Sequence, residues 1–258
     1  MGGLRHSLPA ELLELASLAL MLLLVGCGSD ADKITFVSEV DGDAEIYVID
    51  PDSGEAVPLT DNHSSDTNPI WSPDGKDVAY VSDESGDLEI NVVDHKGKLT
   101  RRLTYIPGDD RTPLWSPDGQ DLAFISNQDG NAEVYMMTAD GGRAVRITAE
   151  EPDDRIGDWS PDGVWLAFAR GGSSDERGLW LRNPDGVNLV HLTTENDFDP
   201  VWSPNGKHIV FVRDADGNLD LFLVTNVYHN QQCHLHSLHL VLLCAPLLRI
   251  RPNPNSSM

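Results

Sequence analysis

The chain has 258 residues, 42 of them acidic and 18 basic, so its formal net charge at neutral pH is −24. This balance excludes nucleic acid as a partner, because phosphate binding requires basic stripes or patches. None of the three cysteines lies between residues 28 and 225, so disulfides do not hold this region together, although it is long enough to bury a core.

Residues 1–27 have the features of a lipoprotein signal peptide. An apolar stretch, Leu15 to Gly26, follows a basic start and leads into Cys27 within the tetrapeptide Leu-Val-Gly-Cys. The tetrapeptide resembles a bacterial lipobox, so we expect a lipid on Cys27, a short linker over residues 28–32, and a periplasmic or cell-surface protein that touches the membrane only through its lipid. An ordinary secretory signal, a membrane anchor and a misassigned start codon are the alternatives; the stretch is too short for an anchor helix.

The central region repeats a Trp-Ser-Pro-Asp-Gly turn about every 44 residues, beginning at Trp71, Trp115, Trp159 and Trp202. A period of roughly 40–45 residues is typical of a four-stranded propeller blade. Proline pre-sets φ in such a turn, and glycine supplies the freedom that the exit requires. The fourth copy has Asn205 in place of aspartate, which indicates that the turn carboxylates are structural.

Each period predicts four antiparallel strands. The tryptophan ends a short inner strand, and an apolar run that suits burial on both faces forms the second. The second strands are predicted at 78–82, 122–126, 166–170 and 209–213, and the third strands at 88–93, 132–137, 178–181 and 219–224. The outer strands end in Leu-Thr or Ile-Thr, at residues 60, 104, 148 and 193.

The repeat is incomplete at both ends of the predicted propeller, residues 33–225. Residues 34–38 and 45–50 match second and third strands but lack an inner strand before them, and the last period stops matching after Val224. We therefore predict an all-β propeller of four-stranded antiparallel blades with eighteen strands, about four and a half blades. Closure requires a five-blade ring or a truncated six-blade ring, because an unpaired apolar face is unstable.

Residues 226–258 differ abruptly from the repeats, since they contain no Asp or Glu but several His and two Cys. One interpretation is an aberrant, non-native tail, for instance from a shifted reading frame. The other is a genuine extension in which the alternating residues 234–240 supply a closing strand. The ligand types of Cys233, His234, His236 and His239 also suit zinc, although their spacing fits no compact zinc pattern.

The Trp-Ser-Pro-Asp-Gly turn, the Ala-Tyr or Ala-Phe strand after it and the Glu-Ile-Tyr-Val third strand together resemble the propeller repeats of the TolB family. The resemblance covers residues 33–225. It implies a periplasmic propeller that binds other envelope proteins. Because no segment matches the family's N-terminal α/β domain, the chain looks like a TolB-like lipoprotein. Related repeats occur in propellers attached to prolyl-oligopeptidase-type hydrolases and in pectate-oligomer lyases.

An enzyme is the alternative function, as a carbohydrate lyase or a peptidase-type propeller whose site is not recognised. The chain has no Gly-x-Ser-x-Gly nucleophile elbow. The four histidines of the propeller occupy unrelated blade positions, so they do not converge easily: His63, His95, His191 and His208. We therefore predict a non-catalytic protein with no catalytic residue, no metal site and no cofactor.

An aspartate stands five residues before each repeat tryptophan: Asp66, Asp110, Asp154 and Asp197. The loop that contains it joins one blade to the next, so we predict a ring of carboxylates at the rim of the central channel. Hairpin turns of the same face add Asp41, Asp43, Asp83, Glu84, Asp87, Asp129, Asp175, Glu176, Asp214 and Asp216. Such a face attracts an envelope protein, a basic peptide or Ca²⁺. The alternative is that each rim aspartate caps local backbone NH groups.

Overall fold

The computed structural model describes residues 33–225, except Asp41 and Ser174, together with the backbone of residues 234–237. These residues form five antiparallel sheets whose strands follow one another in chain order. Within the described part of the chain, no helix has the length and apolar character needed to cross a lipid bilayer.

The five sheets are the predicted blades, and the all-β propeller fold is confirmed. Sheet 1 contains β1 (Ile34–Ser38), β2 (Glu45–Asp50) and β3 (Glu55–Pro58). Sheet 2 contains β4 (Asp66–Trp71), β5 (Asp77–Ser82), β6 (Glu89–Asp94) and β7 (Thr100–Arg102). Sheet 3 contains β8 (Asp110–Trp115), β9 (Asp121–Ser126), β10 (Glu133–Thr138) and β11 (Val145–Arg146).

Sheets 4 and 5 complete the order. Sheet 4 contains β12 (Asp154–Trp159), β13 (Leu166–Arg170), β14 (Gly178–Arg182) and β15 (Leu189–His191). Sheet 5 contains β16 (Asp197–Trp202), β17 (His208–Ala215), β18 (Asn218–Thr225) and β19 (His234–Ser237). Within the described residues sheet 1 has three strands and no inner strand, and all eighteen predicted strands are present.

The nineteenth strand, β19, pairs with β18 and takes the outer position of sheet 5. It lies in the segment for which the sequence allows two interpretations, and it coincides with the alternating run at 234–240. The division into residues 1–27, 28–32, 33–225 and 226–258 stays a prediction. The candidate zinc ligands and Cys27 lie outside the residues whose side chains are described.

The turns between first and second strands have the predicted geometry. In the first copy, Gly75 N donates to Ser72 O over 2.9 Å, and the glycine has φ +70°. Ser72 Oγ donates to Asp74 Oδ1 over 2.8 Å, and in the fourth copy Ser203 Oγ makes the same 2.8 Å bond to Asn205 Oδ1. The turn carboxylate is therefore structural, as predicted.

The outer strands are shorter than predicted, because each ends before its Leu-Thr or Ile-Thr pair. The threonine turns back into the sheet, where its hydroxyl accepts a hydrogen bond from the backbone N–H of the second residue of the third strand. Thr60 accepts from Ile46 N and Thr148 from Val134 N, both over 2.9 Å. Thr104 and Thr193 repeat this contact at 2.9 Å. The threonine hydroxyl thus takes the place of a backbone acceptor of the outer strand, and the outer strand ends there.

The core lies in layers between successive sheets. Sheets 2 and 3, for example, enclose Ala79, Ile90, Leu122 and Phe124, which are at most 1% exposed. Ala79 and Phe124 lie in the same layer, where the small alanine leaves room for the phenylalanine of the next sheet. Within the described residues, sheet 5 does not pack on sheet 1 as neighbouring sheets pack on each other, and Val201 and Leu221 remain 53% and 37% exposed on sheet 5.

Candidate functional site

Two sets of loops meet at one end of the propeller, which we call the upper face. The first set joins the second strand of a sheet to the third, and the other joins an outer strand to the inner strand of the next sheet. Ser65 N donates to Asp83 Oδ1 and Asp109 N donates to Asn127 Oδ1, both over 2.7 Å. These hydrogen bonds tie each loop of one set to a loop of the other, so both sets form a single surface.

The upper face carries many exposed carboxylates, whereas exposed lysines lie at the opposite end. The exposed acidic residues of its loops are Glu39, Asp61, Asp83, Glu84, Asp87, Asp129, Glu150, Glu151, Asp153, Asp175, Glu176, Glu195 and Asp216. The turns at the opposite end, the lower face, carry five exposed basic residues, Lys76, Lys96, Lys98, Arg143 and Lys207, and seven exposed acidic residues, Asp52, Glu55, Asp74, Asp118, Asp140, Asp162 and Asp185, so their charges nearly balance. Asp43 and Asp214 are half-buried on the upper face, and Asp41 lies outside the described residues. The negative charge is therefore concentrated on one face.

The four predicted rim aspartates do not lie in the loops but open the inner strands, where their side chains are buried. Asp66, Asp110, Asp154 and Asp197 are at most 3% exposed. Each stands opposite the last or a late residue of the second strand: Ser82, Ser126, Arg170 and Arg213, respectively. The four carboxylates therefore do not form the expected open ring at the rim. Each of them is buried and lies opposite a second-strand residue of its own sheet. A binding role for these residues stays a prediction.

In sheets 4 and 5 the buried aspartate forms a two-point ion pair. Arg170 Nε and Nη2 donate to the two carboxylate oxygens of Asp154 over 2.7 and 2.9 Å. Arg213 makes the corresponding bonds to Asp197 over 2.6 and 2.7 Å. Burial raises the pKa of Asp154 to about 6 against the effect of Arg170, so both groups are charged at neutral pH. These pairs hold the inner strand to the second strand.

In sheets 2 and 3 a serine replaces the arginine, so the aspartate has no direct cation. Asn62 Nδ2 donates to Asp66 Oδ2 over 2.8 Å. Burial raises the pKa of Asp66, and the nearby Glu45 carboxylate adds to the rise. Burial likewise raises the pKa of Asp110. Both carboxylates therefore cost more free energy to ionise in the folded chain than in water.

A second buried acidic position, which the sequence reasoning missed, opens the third strand of sheets 1, 2 and 3. Glu45, Glu89 and Glu133 occupy it and are at most 3% exposed. Arg146 Nη2 donates to Glu133 Oε1 over 2.8 Å, and Arg102 pairs with Glu89 in the same way. The Glu-Ile or Glu-Val that recurs at the start of these three strands is the signal that could have revealed it.

The inner strands expose other side chains than the predicted aspartates. The pairing register of all four inner strands shifts at a bulge, and in three of them the residue before the proline has a positive φ: Asn68 (54°), Thr112 (54°) and Asp199 (51°). All three side chains are exposed. These residues, not the predicted aspartates, are therefore accessible on the innermost strands.

The described residues do not bring together the side chains that a metal ion would need. They contain no cluster of three or more His, Cys, Asp or Glu with the geometry to hold an ion. Calcium at the upper face stays a prediction.

Residues 84–236 match the TolB β-propeller domain. The chain is similar to TolB from Acinetobacter baumannii, with 25% identity and a TM-score of 0.65 over 78% of this chain and 51% of that one. A putative TolB from Agrobacterium tumefaciens has 22% identity and a TM-score of 0.64 over 82% of this chain and 78% of that one. An oligogalacturonate lyase in complex with manganese has 22% identity and a TM-score of 0.63 over 78% and 61%.

The chain thus spans about half the length of the Acinetobacter TolB. No curated protein sequence matches it. The domain match covers more than half of the chain, so the chain belongs to the TolB β-propeller domain family.

Proposed function

We propose that this protein is a lipid-anchored, non-catalytic propeller of the cell envelope that binds a protein or peptide through its upper face. The observation that supports this most is the uneven distribution of charge, since thirteen exposed carboxylates lie on the upper-face loops whereas exposed acidic and basic residues nearly balance at the lower face. A surface of one sign attracts a partner segment of the opposite sign and orients it during encounter. The partner segment should therefore be basic.

The buried ion pairs of sheets 4 and 5 also support a binding role for the exposed loops. Arg170 and Arg213 are 3% and 13% exposed and are engaged by buried aspartates. They therefore neutralise little of the charge that solvent or a partner meets. The exposed loops vary in sequence from sheet to sheet, whereas the buried Asp and Thr positions repeat. Exposed, variable loops on a rigid scaffold are the usual place for recognition.

The lipid anchor would set the position of the propeller. Five linker residues, 28–32, reach at most ~17–18 Å, so Cys27 would keep the propeller close to its membrane. Metabolic labelling with a fatty acid tests this, because the wild type should take up label and Cys27→Ser should not. Equal label in both proteins, or none in either, would contradict the anchor.

The binding role is tested by capture from an envelope extract with three forms of the purified protein. The upper-face variant carries Glu151→Gln, Glu176→Gln and Asp216→Asn; the lower-face control carries Asp52→Asn, Glu55→Gln and Asp185→Asn, and both sets are exposed. The two variants have equal net charge. We expect the upper-face variant alone to lose the captured protein, with stronger loss at higher salt. Equal capture by all three forms would contradict the proposal, as would turnover of oligogalacturonate by the wild type.

A further inference from the structure

In four of the five sheets an aromatic residue of the third strand stands opposite a phenylalanine of the second strand. Tyr47, Tyr135 and Phe222 stack on a phenylalanine of the second strand, with ring centroids 5.7, 5.9 and 5.8 Å apart. In sheet 4, Trp180 is opposite Phe168. In sheet 2 the residue at this position is Asn91, which is opposite Tyr80. Sheet 2 therefore lacks one ring of the repeated pair.

A cavity of about 240 Å³ opens at this position of sheet 2. Its lining residues are Ser82, Glu84, Ser85, Glu89, Asn91 and Arg102. Three of them, Ser82, Glu89 and Asn91, are themselves 2–6% exposed, so the polar wall is deeply set. A volume below the ~300–1,000 Å³ of small-molecule pockets suits a single side chain.

Sheet 3 allows a comparison, because the positions that line the cavity in sheet 2 surround an aromatic ring in sheet 3. The residues at the corresponding positions are Ser126, Gln128, Asp129, Glu133, Tyr135 and Arg146. Tyr135 Oη donates to Asp129, and Arg146 Nη2 holds Glu133 over 2.8 Å. Arg102 holds Glu89 in sheet 2 in the same way. The carboxylate–guanidinium wall is thus retained in sheet 2, whereas Asn91 replaces the tyrosine and Ser85 replaces the aspartate that accepts from its hydroxyl.

The wall of the cavity offers hydrogen bonds to an incoming group. Glu89 is already engaged by Arg102 and by the Thr104 hydroxyl, which donates to it over 2.5 Å. Asn91 Nδ2 donates to Glu89 O over 3.4 Å, and its Oδ1 remains an acceptor for a donor that enters. A ring that carries a hydroxyl at its tip would fill the space and donate to that oxygen.

We propose that this cavity binds the phenol ring of a tyrosine side chain from the partner polypeptide. The inference rests on the proposed function, because the cavity opens beside Glu84 on the upper face, where a basic segment would lie. The tyrosine of the partner takes the volume that Tyr135 fills from within sheet 3. The acidic loops then contact the basic residues that flank it in the partner.

The first experiment measures the cavity alone, with 4-ethylphenol as the probe. Titration followed by protein NMR should shift the signals of Ser85 and Asn91 in the wild type. Asn91→Tyr and Asn91→Phe fill the cavity with the repeat's own ring, so affinity should fall at least about tenfold while the thermal melting temperature holds or rises. Tyr135→Asn, the reciprocal change, should create a second site in sheet 3. Equal binding by wild type and both Asn91 variants would overturn the proposal.

The second experiment separates this inference from the proposed function. The probes are Ac-Gly-Lys-Tyr-Lys-Gly-NH2 and the same peptide with leucine in place of tyrosine. The tyrosine peptide should bind the wild type at least about tenfold more tightly than the leucine peptide, and Asn91→Tyr should abolish the difference. If both peptides bind equally and Asn91→Tyr has no effect, the cavity plays no part, although the acidic face still binds basic segments. If 4-ethylphenol binds but neither peptide does, the cavity is a binding site for a phenol ring, and the proposal that the partner segment is basic is wrong.

Discussion

Replacing Asp154 by asparagine should destabilise the fold strongly. Asp154 is 1% exposed, and its carboxylate accepts two hydrogen bonds from the Arg170 guanidinium, whose side chain is 3% exposed. An asparagine can accept only one of these bonds and leaves a buried cation without its counter-charge. Removing one partner of a buried pair costs about 3–5 kcal/mol. Because Glu150 also accepts from Arg170 over 3.0 Å, we expect the lower end of that range.

Thermal denaturation at pH 7 measures the effect. A loss of about 3 kcal/mol corresponds to a melting temperature lower by roughly 6–12 °C for a domain of this size. The double variant Asp154→Asn with Arg170→Met removes both charges and should recover most of the loss, since an apolar side chain can replace a buried pair. If Asp154→Asn melts at or above the wild-type temperature, the pair does not hold the strands together and the carboxylate is free to act at the rim.

Two further variants test other buried positions. Asp66→Asn should hold or raise the melting temperature at pH 7: because burial raises the pKa of Asp66, the folded chain keeps the proton to higher pH than the unfolded chain, and stability falls as pH rises through that raised pKa. The gain over wild type should vanish as the pH falls towards 3.8, the ordinary pKa of an aspartate carboxyl in the unfolded chain, and a less stable variant at pH 7 would contradict this reasoning. Gly178→Ala should destabilise by more than about 2 kcal/mol, because a Cβ would lie 2.0 Å from Thr193 O at φ +122°. Gly130→Ala has a similar φ, +115°, and nothing within 4 Å, so urea denaturation should show only the backbone strain of about 1–2 kcal/mol.

The repeat allowed the strands to be predicted because its tryptophan, turn and apolar run recur with one spacing. The outer strands were predicted too long, since the sequence shows Leu59 and Thr60 but not that the Thr60 hydroxyl returns to Ile46 N. A side-chain hydrogen bond that ends a ladder has no periodicity of its own, so pattern alone does not reveal it.

The aspartates before the tryptophans were predicted by spacing, but their burial was not. A loop beside a channel suggests exposure, whereas the register places Asp154 against Arg170 and Asp66 against Ser82. The serine or arginine at the end of each second strand is visible in the sequence, yet its partner follows only from the pairing. The same holds for Asn91. The sequence shows that an asparagine stands where the other repeats have Tyr47 and Tyr135, but the cavity beside it depends on packing, which the sequence does not show.

Photo-crosslinking in living cells tests the central claim most directly, by placing one photoreactive residue at a time on each face. We expect positions 151, 176 and 216 of the upper face to form adducts with one and the same envelope protein. Positions 52, 55 and 185 of the lower face should form none, although they are equally exposed. Adducts from the lower face alone, or no adduct from any upper-face position, would contradict the assignment of the acidic face as the binding surface.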